Sequence, residues 1–232
     1  MDEIDVSRQE SLPFRLSCFW PEHRLLIITI STSAHERLHG ELYTLFTNEL
    51  FRKGLEEQWT GTGATTYPSI QGGSDGGRGE GDSSGLPEIR RGGWPTLVIG
   101  ACCSETDNHL RRKMEWWFEA SNHDVKIVLL LQLKRNPDTI TIQRWEEEPS
   151  ILNRPGATTT RHAAHLRRIQ RQQIVITRDN TTNPASYQVA RGNLILPFQL
   201  LFLRQPNPNI PQESDIVIGI AKLQELARRI WD

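Results

Sequence analysis

The chain has 232 residues, enough for one large domain or two small ones, and its net charge of −1 gives no global basic field to attract nucleic acid. Its three cysteines form no C-x-x-C pair, which argues against thiolate zinc, and the adjacent Cys102 and Cys103 are poorly disposed to bridge each other. The polar, acidic N-terminus lacks a signal-peptide core and no later run is long enough for a membrane, so an intracellular setting (cytoplasm or nucleus) without a membrane partner is expected.

Met1 to Leu12 is polar and expected to fray. Leu25 to Ile30 reads as a strand, paired in a hairpin that turns near Pro21-Glu22-His23. Ser31-Thr32-Ser33 offers an N-cap for a helix from about Ala34 to Lys53, which Gly54 stops. Its first turns carry His35, Glu36 and His39, a literal H-E-x-x-H. The histidines are i and i+4, so both can face one ion, but zinc hydrolysis needs a third ligand from elsewhere; the competing reading is a helix start with polar residues in solvent.

A short strand is expected around Gln58 to Thr60. Nine of the 17 glycines fall between Gly72 and Gly93, and the segment at about 69–93 reads as a flexible insertion unable to bury enough apolar area to offset its ordering entropy. Its notable feature is Glu80-Gly81-Asp82. Trp94 to Arg135 is the centre of the chain: an apolar run at Leu97-Val98-Ile99, a helix start at Ser104 with Glu105 in its first turn, apolar residues Leu110, Met114, Trp117 and Phe118 at helical spacing, and a second β-branched run from Val125 to Leu133. Strand, helix, strand predicts two parallel strands in a covered sheet, hence an α/β core in a single domain.

Asn136-Pro137-Asp138 predicts a hairpin turn into a strand at Thr139 to Trp145, ended by Glu146-Glu147-Glu148-Pro149. Arg161 to Arg171 is basic and suits either a nucleic-acid contact or a solvated face. Gln173 to Thr177 reads as a strand, Leu194 to Leu203 as an apolar segment with Pro197 inside it, a strand and then a turn of helix, Pro206 to Pro211 as a linker, and the stretch after Ile220 as an amphipathic helix docked on the core.

The ordered set Trp94-Pro95-Thr96-Leu97-Val98-Ile99, Ser104-Glu105, Leu110-Arg111, Trp116-Trp117 and Val125-Lys126-Ile127-Val128 resembles a fungal family of restriction-endonuclease-like proteins in the PD-(D/E)XK nuclease superfamily. The resemblance continues upstream to Ser33-Ala34-His35-Glu36, and downstream to Leu196-Pro197-Phe198, Leu201-Phe202-Leu203-Arg204, Glu213-Ser214-Asp215-Ile216 and Ile230-Trp231. It implies a restriction-endonuclease-like core, a central mixed sheet flanked by helices, and Mg²⁺-dependent phosphodiester hydrolysis, with carboxylates holding the ion and a lysine steadying the attacking water. Matched residue by residue, Asp82 stands for the first acid and Glu36 for an acid on the first helix. Gly100 occupies the place of the second acid and Cys102 that of the in-strand lysine, which Arg112 or Lys113 on the next helix could replace. Glu105 is a substitute acid if the turn before it folds back, and otherwise serves its own helix N-terminus. The implied catalytic set is Glu36, Asp82, Glu105 and Lys113, with Asp82 and Glu105 on the metal and Arg111, Arg112 and Lys113 on nucleic acid. The missing acid implies weakened or lost catalysis, or a non-catalytic module of the same fold that binds nucleic acid or protein.

Overall fold

The computed structural model describes residues 15–20, 24–29, 32–70, 77–103, 107–149 and 166–231. The expected turn at 21–23, the Ser104 cap, Glu105 and the basic residues 161–165 lie outside them. The elements in order are β1 (Arg15–Trp20), β2 (Leu25–Thr29), α1 (Ser33–Arg52), β3 (Trp59–Gly61), β4 (Thr66–Pro68), β5 (Arg78–Glu80), β6 (Ser83–Pro87), β7 (Leu97–Cys102), α2 (Asp107–Ala120), β8 (Ile127–Arg135), β9 (Asp138–Pro149), β10 (Leu166–Asp179), β11 (Ser186–Ala190), β12 (Leu194–Leu196), α3 (Phe198–Phe202), β13 (Ile216–Ile218) and α4 (Ile220–Trp231).

This is a mixed α/β fold around a seven-stranded sheet, ordered β11-β10-β9-β8-β7-β6-β3. The β7–β8 pair is parallel, as the strand–helix–strand pattern predicts, and the other neighbours in the sheet are antiparallel. A parallel pair joined by a helix is buried on both faces, and both strands therefore read as unbroken apolar runs. Leu97, Ile99, Ile127, Leu129 and Leu131 face one core with Leu38, Leu42 and Phe46 of α1 and the C-terminal elements. Val98, Val128 and Leu130 face a second core with Leu110, Met114, Trp117 and Phe118 of α2. Strands β2-β1-β5-β4 form a smaller sheet, and β12-β13 a two-stranded one. Among the described residues no helix is long and apolar enough to cross a membrane.

Two stretches differ from the sequence reading. Residues 77–93, expected within a flexible insertion, contain β5, β6 and a 3₁₀ turn, and every residue of β6 is buried. The composition misled because the apolar area comes from partners. A Cβ on Gly79 would lie 2.3 Å from the Trp116 ring, and one on Gly85 would lie 2.6 Å from the Trp59 indole nitrogen. Bare backbone is the packing surface for those aromatics. The triple glutamate does not end β9, which runs on to Pro149 opposite Leu166 of β10. Arg171 pairs with Glu148 at 2.6 Å, Arg167 also meets Glu148, and Arg168 meets Glu119. The described part of the basic stretch is thus spent on acids of this chain, which relieves the repulsion that would otherwise break the strand there.

Gly79→Ala is expected to destabilise the protein by about 1–3 kcal/mol through overpacking. Gly100→Ala, whose Cβ would meet only Leu130 Cδ2 at 3.8 Å, should stay within about 1 kcal/mol of wild type. Urea unfolding of the two variants checks this contrast.

Candidate functional site

Helix α1 begins with Thr32 as N-cap, its Oγ1 accepting a hydrogen bond from the His35 N–H at 3.2 Å. That start fixes the phase of the helix. Leu38 and Leu42 then face the sheet, and His35 and His39, one turn apart, face it beside them, both buried. The sheet meets them with the carboxyl-terminal end of β7 and the Gly81-Asp82 turn that leads into β6. Gly81 has no room for a side chain, since a Cβ would approach Val98 Cγ1 to 2.9 Å. The Asp82 N–H donates to Ile99 O at 2.9 Å, and Asp82 Oδ2 accepts from the Ala101 N–H at 2.7 Å. The turn is thereby pinned to β7 and the carboxylate has one oxygen left, Oδ1, directed at α1.

His35 Nε2 lies 3.5 Å from Asp82 Oδ1 and 3.2 Å from Ala101 O, while its Nδ1 lies 3.4 Å from Glu36 Oε1. Every one of these neighbours is an acceptor, so the arrangement favours a proton on both ring nitrogens. Burial works against the charged ring, yet the hydrogen bond and charge of Asp82, helped by Glu36, hold the His35 pKa above the ordinary histidine value. Burial likewise pushes Asp82 up, but His35, the Ala101 N–H and the charge of His39 prevail and hold it below the usual aspartate value. His39 Nε2 contacts Glu36 Oε2 at 3.2 Å, and its Nδ1 contacts Ser83 Oγ at 2.9 Å. Glu36 thus touches the outer nitrogen of each ring, from a side chain 45% exposed. One donor atom from each of His35, His39 and Asp82 lies within 4.8 Å of the others.

On the opposite face of the sheet, α2 brings Lys113 to the same turn. Lys113, Asp82, Gly100, Glu80 and Ser17 line a cavity of about 10 Å³, room for roughly one water. An open pocket of about 230 Å³ is lined by Thr32, Ser33, Ala34, Cys103, Leu133 and Arg135. Thr32 to Ala34 run directly into His35, and Cys103 lies two residues beyond Ala101, whose carbonyl meets His35, which places this pocket beside the histidine cluster. Burial pushes the Cys103 thiol up, with Thr32 and Arg135 opposing, so Cys103 is no activated nucleophile.

Of the residues singled out from the sequence, Asp82 and Lys113 meet at one cavity, and Glu36 reaches Asp82 through His35. Glu105 lies outside the described residues. Arg111 and Arg112 are exposed on α2, whereas Lys113 is buried, because consecutive helical residues point about 100° apart and cannot share one contact face. Arg111 instead lies over the Trp145 ring at 5.7 Å. The convergence of Asp82 on His35 and His39, with Ser83 behind them, was not visible in the chain. The literal H-E-x-x-H was its one signal, and Asp82 is the third group that motif lacked. No known family model matches the chain, and no curated protein matches it.

The coupling of His35 and Asp82 has a defined pH window. The raised His35 pKa means stability that is full below 6.5 and lost as the pH rises through the folded value. The lowered Asp82 pKa means stability present above 3.8 and lost as the pH falls through the folded value. The destabilisation caused by Asp82→Asn should therefore be greatest between these limits and shrink on either side. NMR titration of the His35 ring should show its pKa falling in that variant.

Proposed function

We propose that this chain is a nuclease-like hydrolase of phosphodiesters, with its working site where α1 and α2 converge on Asp82. The observation that carries the reading is the meeting of Asp82, Gly100 and Lys113 at one cavity, since these positions match the first acid, the second acid and the displaced lysine of the PD-(D/E)XK pattern. The mixed sheet with a helix on each face is compatible with a restriction-endonuclease-like core. Ligands in open α/β sheets gather at the carboxyl ends of parallel strands, and this site lies at that end of β7 and β8.

The cavity at Lys113 admits a water but no nucleotide, so the phosphodiester belongs in the open pocket outside it. There the first turn of α1, at Thr32 and Ser33, offers the positive end of a helix, and the exposed Arg135 adds a cation. Arg135 supplies positive charge against the charge that develops on phosphate oxygens; Lys113 holds its own charge beside Asp82 in the buried cavity, and Asp82, held ionised, orients the attacking water. The Mg²⁺ implied by the resemblance suits this donor set poorly. Mg²⁺ asks for a nearly all-oxygen octahedral shell, whereas the groups gathered on Asp82 are imidazoles and the acid expected at position 100 is a glycine. That missing acid fits weakened catalysis.

The test is cleavage of single- and double-stranded DNA and of RNA by purified protein with Mg²⁺, Mn²⁺ or Zn²⁺. Asp82→Asn should lower the rate by about 100-fold or more. Gly100→Glu, at a position where an added Cβ would meet only Leu130 Cδ2 at 3.8 Å, should raise it. No cleavage by wild type or by Gly100→Glu would overturn the hydrolase and leave a binding module of the same fold.

A further inference from the structure

We infer that His35, His39 and Asp82 form a binding site for one first-row transition-metal ion of the zinc class, with Glu36 as the carboxylate that orients both imidazoles. The proposal deepens the site described above but does not depend on phosphodiester chemistry.

The geometry has three parts. First, the inward donors are spaced for a shared ion. Donors about 2.0–2.1 Å from a tetrahedral centre sit roughly 3.3–3.4 Å apart, and His35 Nε2 and Asp82 Oδ1 are 3.5 Å apart. His39 completes a set within 4.8 Å, from the same helix face one turn on. Second, the outer nitrogens are already engaged. His35 Nδ1 and His39 Nε2 both lie on Glu36, at 3.4 and 3.2 Å, which leaves His35 Nε2 and His39 Nδ1 turned toward the Asp82-Ser83 turn. A carboxylate on the far nitrogen is the usual support for a metal-bound imidazole, because it fixes the ring and raises its basicity. Third, Asp82 is itself held, with Oδ2 on the Ala101 N–H and Oδ1 turned to His35.

This differs from the zinc-protease use of the same five-residue motif, in which the glutamate acts on a metal-bound water. Here Glu36 is occupied by the ligands' outer nitrogens and is a positioning residue. Two imidazoles and one carboxylate select a borderline ion such as Zn²⁺ over Mg²⁺. Three protein ligands leave a fourth position for water or substrate, which makes the site of the open, catalytic kind.

The experiment is calorimetric titration of the full chain, stripped with a chelator, with Zn²⁺ and separately with Mg²⁺. Absorption of the Co²⁺-loaded protein is a second readout. One Zn²⁺ per chain is expected, bound at least about 100-fold more tightly than Mg²⁺, together with the visible bands of four-coordinate Co²⁺. Glu36→Gln, at a half-exposed side chain that should leave the fold intact, is expected to weaken Zn²⁺ about 10- to 100-fold. His39→Gln and Asp82→Asn should abolish stoichiometric binding, with circular dichroism of the metal-free variants confirming that they are folded. Zn²⁺ binding that is absent, no tighter than Mg²⁺, or unchanged in folded His39→Gln or in Glu36→Gln would overturn the site. Metal binding without cleavage would sink only the phosphodiester reading, and cleavage without metal binding only this one.

Discussion

The parallel contact between β7 and β8 is the constraint from which the rest follows. Parallel neighbours cannot be joined by a tight turn, so α2 must cross over one face of the sheet to connect them. Once it does, both faces of two apolar strands must be kept from water. The second face falls to α1 and the C-terminal helix α4, whose Arg229 meets Glu41 of α1 at 3.0 Å. Two cores on opposite faces result, and the carboxyl ends of the parallel strands become the place where groups from α1, α2 and the β5–β6 turn can meet.

Asp82 occupies that seam. One carboxylate oxygen is taken by the backbone of β7 and the other faces the imidazole on α1. Lys113 approaches from the core on the other face. A group shared in this way is costly to bury and strongly polarised by its neighbours. That is why His35 and Asp82 shift in opposite directions despite the burial that opposes both shifts. Perturbed pairs of this sort recur at functional sites, where charge is held ready in a dry place.

The elements that local chemistry dictates were legible in the chain. The Thr32 cap, the stop at Gly54 with φ +64°, and the unbroken apolar runs of β7 and β8 each carry their own signal over a few residues. Elements that depend on partners far away in sequence were not. Strand β6 reads as a polar, glycine-rich linker until Trp59 is placed against it. The far end of β9 reads as an acidic terminator until the arginines of β10 are laid beside it. The site divides in the same way. His35 and His39 are visible because four residues is a helical spacing, whereas His39 and Ser83 are 44 residues apart and only the folded sheet joins them. The same separation hides the fact that Glu36, which looks like a catalytic acid in the motif, is engaged by both rings.

The glycines of β5 and β6 carry a consequence for how this protein can change over generations. By composition the segment around them looks like the most dispensable part of the chain, a place where drift should be free. Yet at positions 79, 81 and 85 even the smallest side chain would have to displace a tryptophan ring or a β7 valine. Gly81 is also the residue next to the carboxylate that the site is built on. Purifying selection should therefore fall hardest where the sequence looks simplest, and variation should collect instead on the charged outer faces of α1 and α4. A protein arranged this way can vary widely on its surface while that short run of bare backbone stays almost fixed.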